Sequence, residues 1–195
     1  NIDTTGSYTP INNAGTNTSF NTLAVNLEEN SSRQPVNYIM PPNVERVQLL
    51  SNNGVNLQQN EQALSLRVNN LQTGGTRGVF KTLNLDIRRY AKMSMYLHAE
   101  SIVGQAPIKD DQLNAIIRIG QDFLNNYYEI KIPLKITPPG QYPRGQEEKV
   151  WPDANNIDFS LRELIDLKLA RNNSGASVTT IFRKLIGNKT FSIMG

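Results

Sequence analysis

The 195-residue sequence has no cysteine, one histidine (His98) and one tryptophan (Trp151). The missing cysteine excludes disulfide frameworks, thiolate zinc sites, cysteine nucleophiles and iron–sulfur clusters. A single histidine removes every multi-histidine metal site, and leaves a Ser-His relay only if His98 serves it. The longest apolar runs are three residues or so, such as Met95-Tyr96-Leu97. A transmembrane helix needs ~20. Charge is sparse as well, at 19% of residues, against 38% hydrophobic. The surface is therefore made polar by amides, of which there are 24 Asn and 11 Gln. The net charge is +3, and the 20 Lys and Arg are scattered without a block of like charge. A nucleic-acid binder concentrates its cations on one stripe, so that class is disfavoured.

Catalytic signatures are missing too. The sequence contains no G-x-S-x-G, P-loop, G-x-G-x-x-G or H-E-x-x-H. It opens Asn1-Ile2-Asp3, with neither Met nor a signal peptide, and stops at Ser192-Ile193-Met194-Gly195. It reads as a piece of something longer.

Residues 1–22 carry 15 Asn, Thr, Ser or Gly. Their composition is that of a flexible linker. Residues 23–195 read as one folded domain, in which period-two alternation recurs. It is seen in Leu23 to Leu27, Val36 to Met40 (ended by Pro41-Pro42), Leu64 to Val68 and Val79 to Leu83. Later runs are Met93 to Glu100, Leu113 to Ile119, Tyr128 to Ile136, Val178 to Leu185 and Lys189 to Met194. One helix is signalled near 160–170. There Ser160-Leu161-Arg162-Glu163 has the form of a capping box, with Leu161, Leu164, Ile165 and Lys168 following at helical spacing. A short helix among many strands, without strand–helix alternation, predicts a mostly β protein: a jelly-roll-like β-sandwich with one short helix.

Few residues stand out as candidates for chemistry. Tyr96, His98 and Glu100 fall on one side of the Met93 to Glu100 run, where a phenol, an imidazole and a carboxylate could hold a sugar, or a metal with help from other strands. The plainer account makes them the wetter face of an antiparallel strand. Trp151 and Tyr142, set among prolines, could form an aromatic platform for sugar rings. Alternatively, the tryptophan pins its loop to the body of the protein. Asp110-Asp111 lacks the surrounding pattern of a calcium loop, and Glu147-Glu148 reads as a solvated pair. The expectation is no catalytic residue, no metal and no cofactor.

Longer strings carry more information. Val36 to Pro42, Asn60 to Leu66, Leu85 to Tyr90 and Met95 to Ser101 resemble consecutive pieces of the SprA (Sov) family. The most specific are Ile117-Arg118-Ile119-Gly120 and Asn126 to Leu134. The resemblance spans roughly residues 25–195. It implies a segment of a very large outer-membrane protein of Bacteroidetes, the translocon of type IX secretion, which gliding species also need for motility. The segment would be a non-catalytic, soluble structural or interaction domain that shapes the pore cap or contacts secreted cargo and partner subunits. It would lie in the cell envelope, on the extracellular rather than the periplasmic side, with no nucleic acid as partner. A carbohydrate-binding β-sandwich module is the rival reading, by fold analogy. In one respect the chain departs from the family: it has Thr73-Gly74-Gly75-Thr76 at a turn that is often Asp-Gly-Asp.

Overall fold

Alternation in the sequence becomes paired strands wherever a neighbour of matching length exists. The computed structural model describes residues 6–8, 17–49 and 57–195. In chain order the first strands are β1 (Gly6–Tyr8), β2 (Ser19–Asn26), β3 (Gln48–Leu49), β4 (Leu57–Gln58), β5 (Gln62–Asn69) and β6 (Gly78–Phe80). They are followed by β7 (Lys92–Met95), β8 (Asn114–Gly120), β9 (Tyr127–Pro133), β10 (Ile157–Ser160), β11 (Phe182–Ile186) and β12 (Lys189–Met194). The α-helices among the described residues are α1 (Leu27–Asn30), α2 (Glu147–Val150) and α3 (Arg162–Ser174). The protein is mostly β, as expected, and two of these three helices are single turns.

The largest sheet is antiparallel, in the order β11-β12-β9-β8. Its inner face follows from register. Tyr128, Ile130 and Ile132 of β9 stand opposite Ile119, Ile117 and Ala115 of β8. On the other flank Tyr128 and Ile130 meet Ile193 and Phe191 of β12. This apolar face is covered by Ile157 and Phe159 of β10 and by Leu164 and Leu167 of α3, giving one buried cluster. The packing is sandwich-like, because β10 itself pairs with β7 to form a second, two-stranded layer. Phe159 meets Phe191 edge-on at 5.3 Å between ring centres, the geometry that aromatic quadrupoles favour. Where β8 turns into β9, Gly120 is required by close approach, since a Cβ there would lie 2.1 Å from the Asn126 carbonyl oxygen.

Helix α3 forms where expected but is rotated from the expected face. Ser160 closes β10 instead of capping the helix, and its hydroxyl accepts from the Arg162 amide at 3.2 Å. Leu161 takes the N-cap position without a side-chain cap, so the capping box does not form. The helix buries Leu164, Leu167 and Arg171 and leaves Ile165 54% exposed. It ends on Gly175 in the left-handed conformation, φ 70°, as αL caps do.

Two further expectations are corrected. Val36 to Met40 is not a strand: Val36 makes one isolated parallel bridge to Gly140, and the run otherwise joins no ladder, with Val36 to Ile39 buried and Met40 half-buried. The Met93 to Glu100 run pairs only as far as Met95, since β10 ends the ladder there with Ile157 opposite Met95. At the N-terminal end, Gly6–Tyr8 pairs with Gly78–Phe80. Leu23, the expected first folded residue, is the fifth residue of β2. Residues 1–5 and 9–16 of the tract read as a linker lie outside the described residues.

Candidate functional site

A second buried cluster, apart from the sheet core, gathers every site candidate of the sequence. Val36, Tyr38, Ile39, Val150 and Trp151 are its buried members. Val25, Leu27 and Ala63 reach it from the β2–β5 ribbon, and Tyr96 and Tyr142 pack against it. Three stretches outside the named strands are tied together here. Gly140 N–H donates to the Pro35 carbonyl at 2.9 Å, and Thr137 N–H donates to Ala99 at 2.8 Å. Asn37 locks the first stretch to the loop of Tyr142. Its Oδ1 accepts from the Tyr142 amide at 2.6 Å, and its Nδ2 donates to the Tyr142 carbonyl at 3.0 Å. The side-chain amide thus replaces the ladder partner that a buried backbone would otherwise lack.

Trp151 is the hub. It is 5% exposed, and its Nε1–H donates to the Ile39 carbonyl at 2.9 Å. Tyr38 and His98 meet its ring edge-on at centroid distances of 6.0 and 5.8 Å. A ring so enclosed presents no face to a sugar, so the pinning account describes it. Tyr142 is half-buried, and its hydroxyl donates to the Pro138 carbonyl at 2.7 Å.

His98 and Glu100 are not on a wet strand face. Beyond Met95 the chain leaves the ladder and runs between the other stretches, so the side chains of His98 and Glu100 are only 16% and 19% exposed. His98 Nδ1–H donates to the Val150 carbonyl at 2.8 Å, with Thr137 Oγ1 3.2 Å away. Its Nε2 stands 3.1 Å from Glu100 Oε2, an ion pair when the ring is protonated. Arg33 then grips the same carboxylate with both Nη groups, at 2.6 and 2.9 Å, in the bidentate geometry that makes Arg–carboxylate pairs strong. A parallel pair lies across the cluster: the Tyr38 hydroxyl donates to Glu61 Oε2 at 2.5 Å. Burial, with the Glu61 carboxylate beside it, pushes the Tyr38 phenol far up, so it stays a donor.

The result is a relay, Arg33–Glu100–His98–Val150, leaning on an aromatic hub, with the buried Arg33 Nε left without a partner among the described residues. His98, Glu100 and Trp151 are brought into one network, while Tyr96 and Tyr142 border it. Arg33, Tyr38, Asn37, Glu61 and Thr137 complete it and were not singled out by sequence. Arg33 and Glu100 lie 67 positions apart, a separation that carries no periodic signal. The other acidic pairs are accounted for locally. Lys135 Nζ pairs with Asp111 at 2.9 Å and lies 3.6 Å from Asp110, and Glu147 accepts from the Gly145 amide at 2.9 Å.

Burial alone would raise the Glu100 carboxyl. Hydrogen bonds from His98 and Arg33, with their charge, outweigh it and hold the group below the usual carboxylate range. A carboxylate depressed on folding adds stability above its unfolded value, and that stability is lost as pH falls through the folded one. Glu100→Gln should therefore lower stability at pH 7 by about 1.5–3 kcal/mol, the range for hydrogen bonds to charged groups. Its gap from wild type should narrow as the pH falls below ~4, where the carboxyl of the unfolded chain takes up its proton, and go on narrowing as the folded carboxyl is protonated at lower pH. Urea denaturation midpoints of the two proteins at pH 7 and pH 3 measure this. A gap that is equal at both pH values would show that Glu100 is not held as an ion.

A family model described as SprA_N, motility related/secretion protein, matches residues 3–195 of the chain. A search of curated proteins gives no match.

Proposed function

We infer a role from one premise: the chain belongs to the SprA_N family of motility-related and secretion proteins. That family is one of secretion and motility rather than of enzymes, and it associates the chain with the cell envelope and with other secretion components. No helix among the described residues is long and apolar enough to cross a membrane. In our reading the segment is a non-catalytic domain of the outer-membrane translocon of type IX secretion. It shapes the soluble cap of the pore or contacts secreted cargo and partner subunits, on the extracellular side.

The observation that carries this reading is the state of His98. Both ring nitrogens face partners within the chain, and the carboxylate beside it is already gripped by Arg33. Such groups hold three chain segments together; a general acid or base needs a free proton site within reach of a substrate. The rival glycan-binding reading needs an exposed aromatic face, and Trp151 does not offer one.

Cells whose full-length protein carries Trp151→Ala provide the test. Cargo secretion, and movement in a gliding species, are expected to fall with the amount of folded protein. Undiminished secretion with this domain unfolded would overturn the structural role. Aromatic-dependent binding of the isolated chain to a glycan array would instead favour the carbohydrate module.

A further inference from the structure

Strand β11 closes one side of the four-stranded sheet, and among the described residues only β12 pairs with it. Phe182 and Ile186 pack against the sheet core and hold the strand in place. Its hairpin to β12 turns on two residues, Gly187 at φ 60° and Asn188. In such a hairpin the closing pair, here Ile186 and Lys189, exchanges both backbone hydrogen bonds, and bonded pairs alternate from there. Phe182 and Lys184 therefore bond to β12, while the N–H and C=O groups of Arg183 and Leu185 point to the open side. Those groups meet no backbone partner among the described residues. Both residues are exposed, Leu185 at 69%.

Charge along this edge has one sign. Lys168, Arg171, Arg183, Lys184 and Lys189 follow Asp166, and no Asp or Glu occurs from Leu167 to Gly195. Arg183 and Lys184 are exposed, and neither side chain has an ion-pair or hydrogen-bond partner among the described residues. The acid in register with Arg183, Glu129, lies two strands away and is held by Arg118.

We propose that β11 is a docking edge that takes an acidic, extended segment of a partner polypeptide as a fifth strand. The open backbone groups of Arg183 and Leu185 recur every second residue, about 7 Å apart. An extended polypeptide repeats its own donors and acceptors at that spacing, and neither a glycan nor a lipid surface does. Backbone pairing gives such a site its affinity, and side chains give it specificity. Leu185 supplies an apolar contact, while Arg183 and Lys184, on opposite faces, select negative charge on either side of the added strand. A second copy of the chain does not fit. Pairing β11 with β11 sets cations against cations, and pairing it with β8 of another copy meets Arg118 and no acid. The edge gives a place to the partner contact inferred above, but it is tested on the chain by itself, so its failure is separable from failure of that role.

Amide exchange of the whole chain, read residue by residue by NMR, provides the test. Two synthetic peptides of alternating valines are added, one spaced by glutamate and one by lysine. Without peptide, the Arg183 and Leu185 amides should exchange freely. The glutamate peptide should slow them about tenfold or more, as new hydrogen bonds do, and the lysine peptide should leave them unchanged. Arg183→Glu combined with Lys184→Glu, both at exposed positions, should reverse the preference at an unaltered melting temperature. Leu185→Pro removes a donor that the fold does not use, as edge strands tolerate, and should abolish protection of Arg183. Protection of both amides before any peptide is added, within the chain or in a dimer, would overturn the proposal. So would no protection by either peptide, equal protection by both, or protection found on β8 instead.

Discussion

Ile132→Asp is expected to leave the chain without a cooperative fold. Ile132 is fully buried on β9, which lies between β8 and β12, with Ala115 opposite it and the sheet core around it. Aspartate there loses an apolar contribution of about 1.5–3 kcal/mol. It also places an uncompensated carboxylate in a low-dielectric core, at a further cost of several kcal/mol. Together these rival the ~5–15 kcal/mol by which a domain is stable at all. Ile132→Val, which removes one methylene, should cost only about 0.5–1.5 kcal/mol and serves as the control. Far-UV circular dichroism through a thermal melt distinguishes the two. A sigmoidal transition for Ile132→Asp near the wild-type midpoint would contradict the placement of β9.

The second large effect is expected at Trp151. Trp151→Ala empties the hub of the second cluster and leaves the Ile39 carbonyl without its donor. Truncating a buried tryptophan costs about 3–5 kcal/mol, and an orphaned buried acceptor about 1–3 kcal/mol more where nothing replaces it. Trp151→Phe keeps most of the ring burial and loses the indole donor, so it should cost less than half as much. Because Trp151 is the only tryptophan, wild-type fluorescence reports this cluster alone. Its emission should shift to the red during urea unfolding, together with the loss of β circular dichroism. A red shift well before the sheet melts would show that the two clusters unfold as separate units.

Legibility in the sequence follows the physics of each element. The Lys189 to Met194 run and the core of the Tyr128 to Ile136 run were readable because both sit in a four-stranded sheet whose apolar side chains gather on one face. Register then forces alternation. Val36 to Met40 shows the same alternation for another reason. Its backbone is buried, and part of its pairing comes from Asn37 and Tyr142, so the pattern signals burial without a ladder. The face of α3 was ambiguous because Leu161, Leu164, Ile165, Leu167 and Leu169 fit two overlapping stripes. Packing against the sheet selects the one through Leu164 and Leu167. Family membership, by contrast, was readable in local strings long before any tertiary pattern was. The candidate residues were readable one at a time, but their grouping was not. Arg33, Glu100, Thr137 and Trp151 come from four distant stretches, and only the fold brings them together.

The central claim is that the Arg33–Glu100–His98 network holds the domain together and performs no step of its own. His98→Gln tests it most directly, because an amide can still donate to the Val150 carbonyl while losing the imidazole's acid–base chemistry. The measurement is secretion of type IX cargo by cells carrying this change in the full-length protein, at matched abundance and with folding confirmed by tryptophan emission. Our account predicts secretion close to wild type wherever the domain is folded. Loss of secretion from a domain that remains folded would contradict it and make Tyr96, His98 and Glu100 a working site.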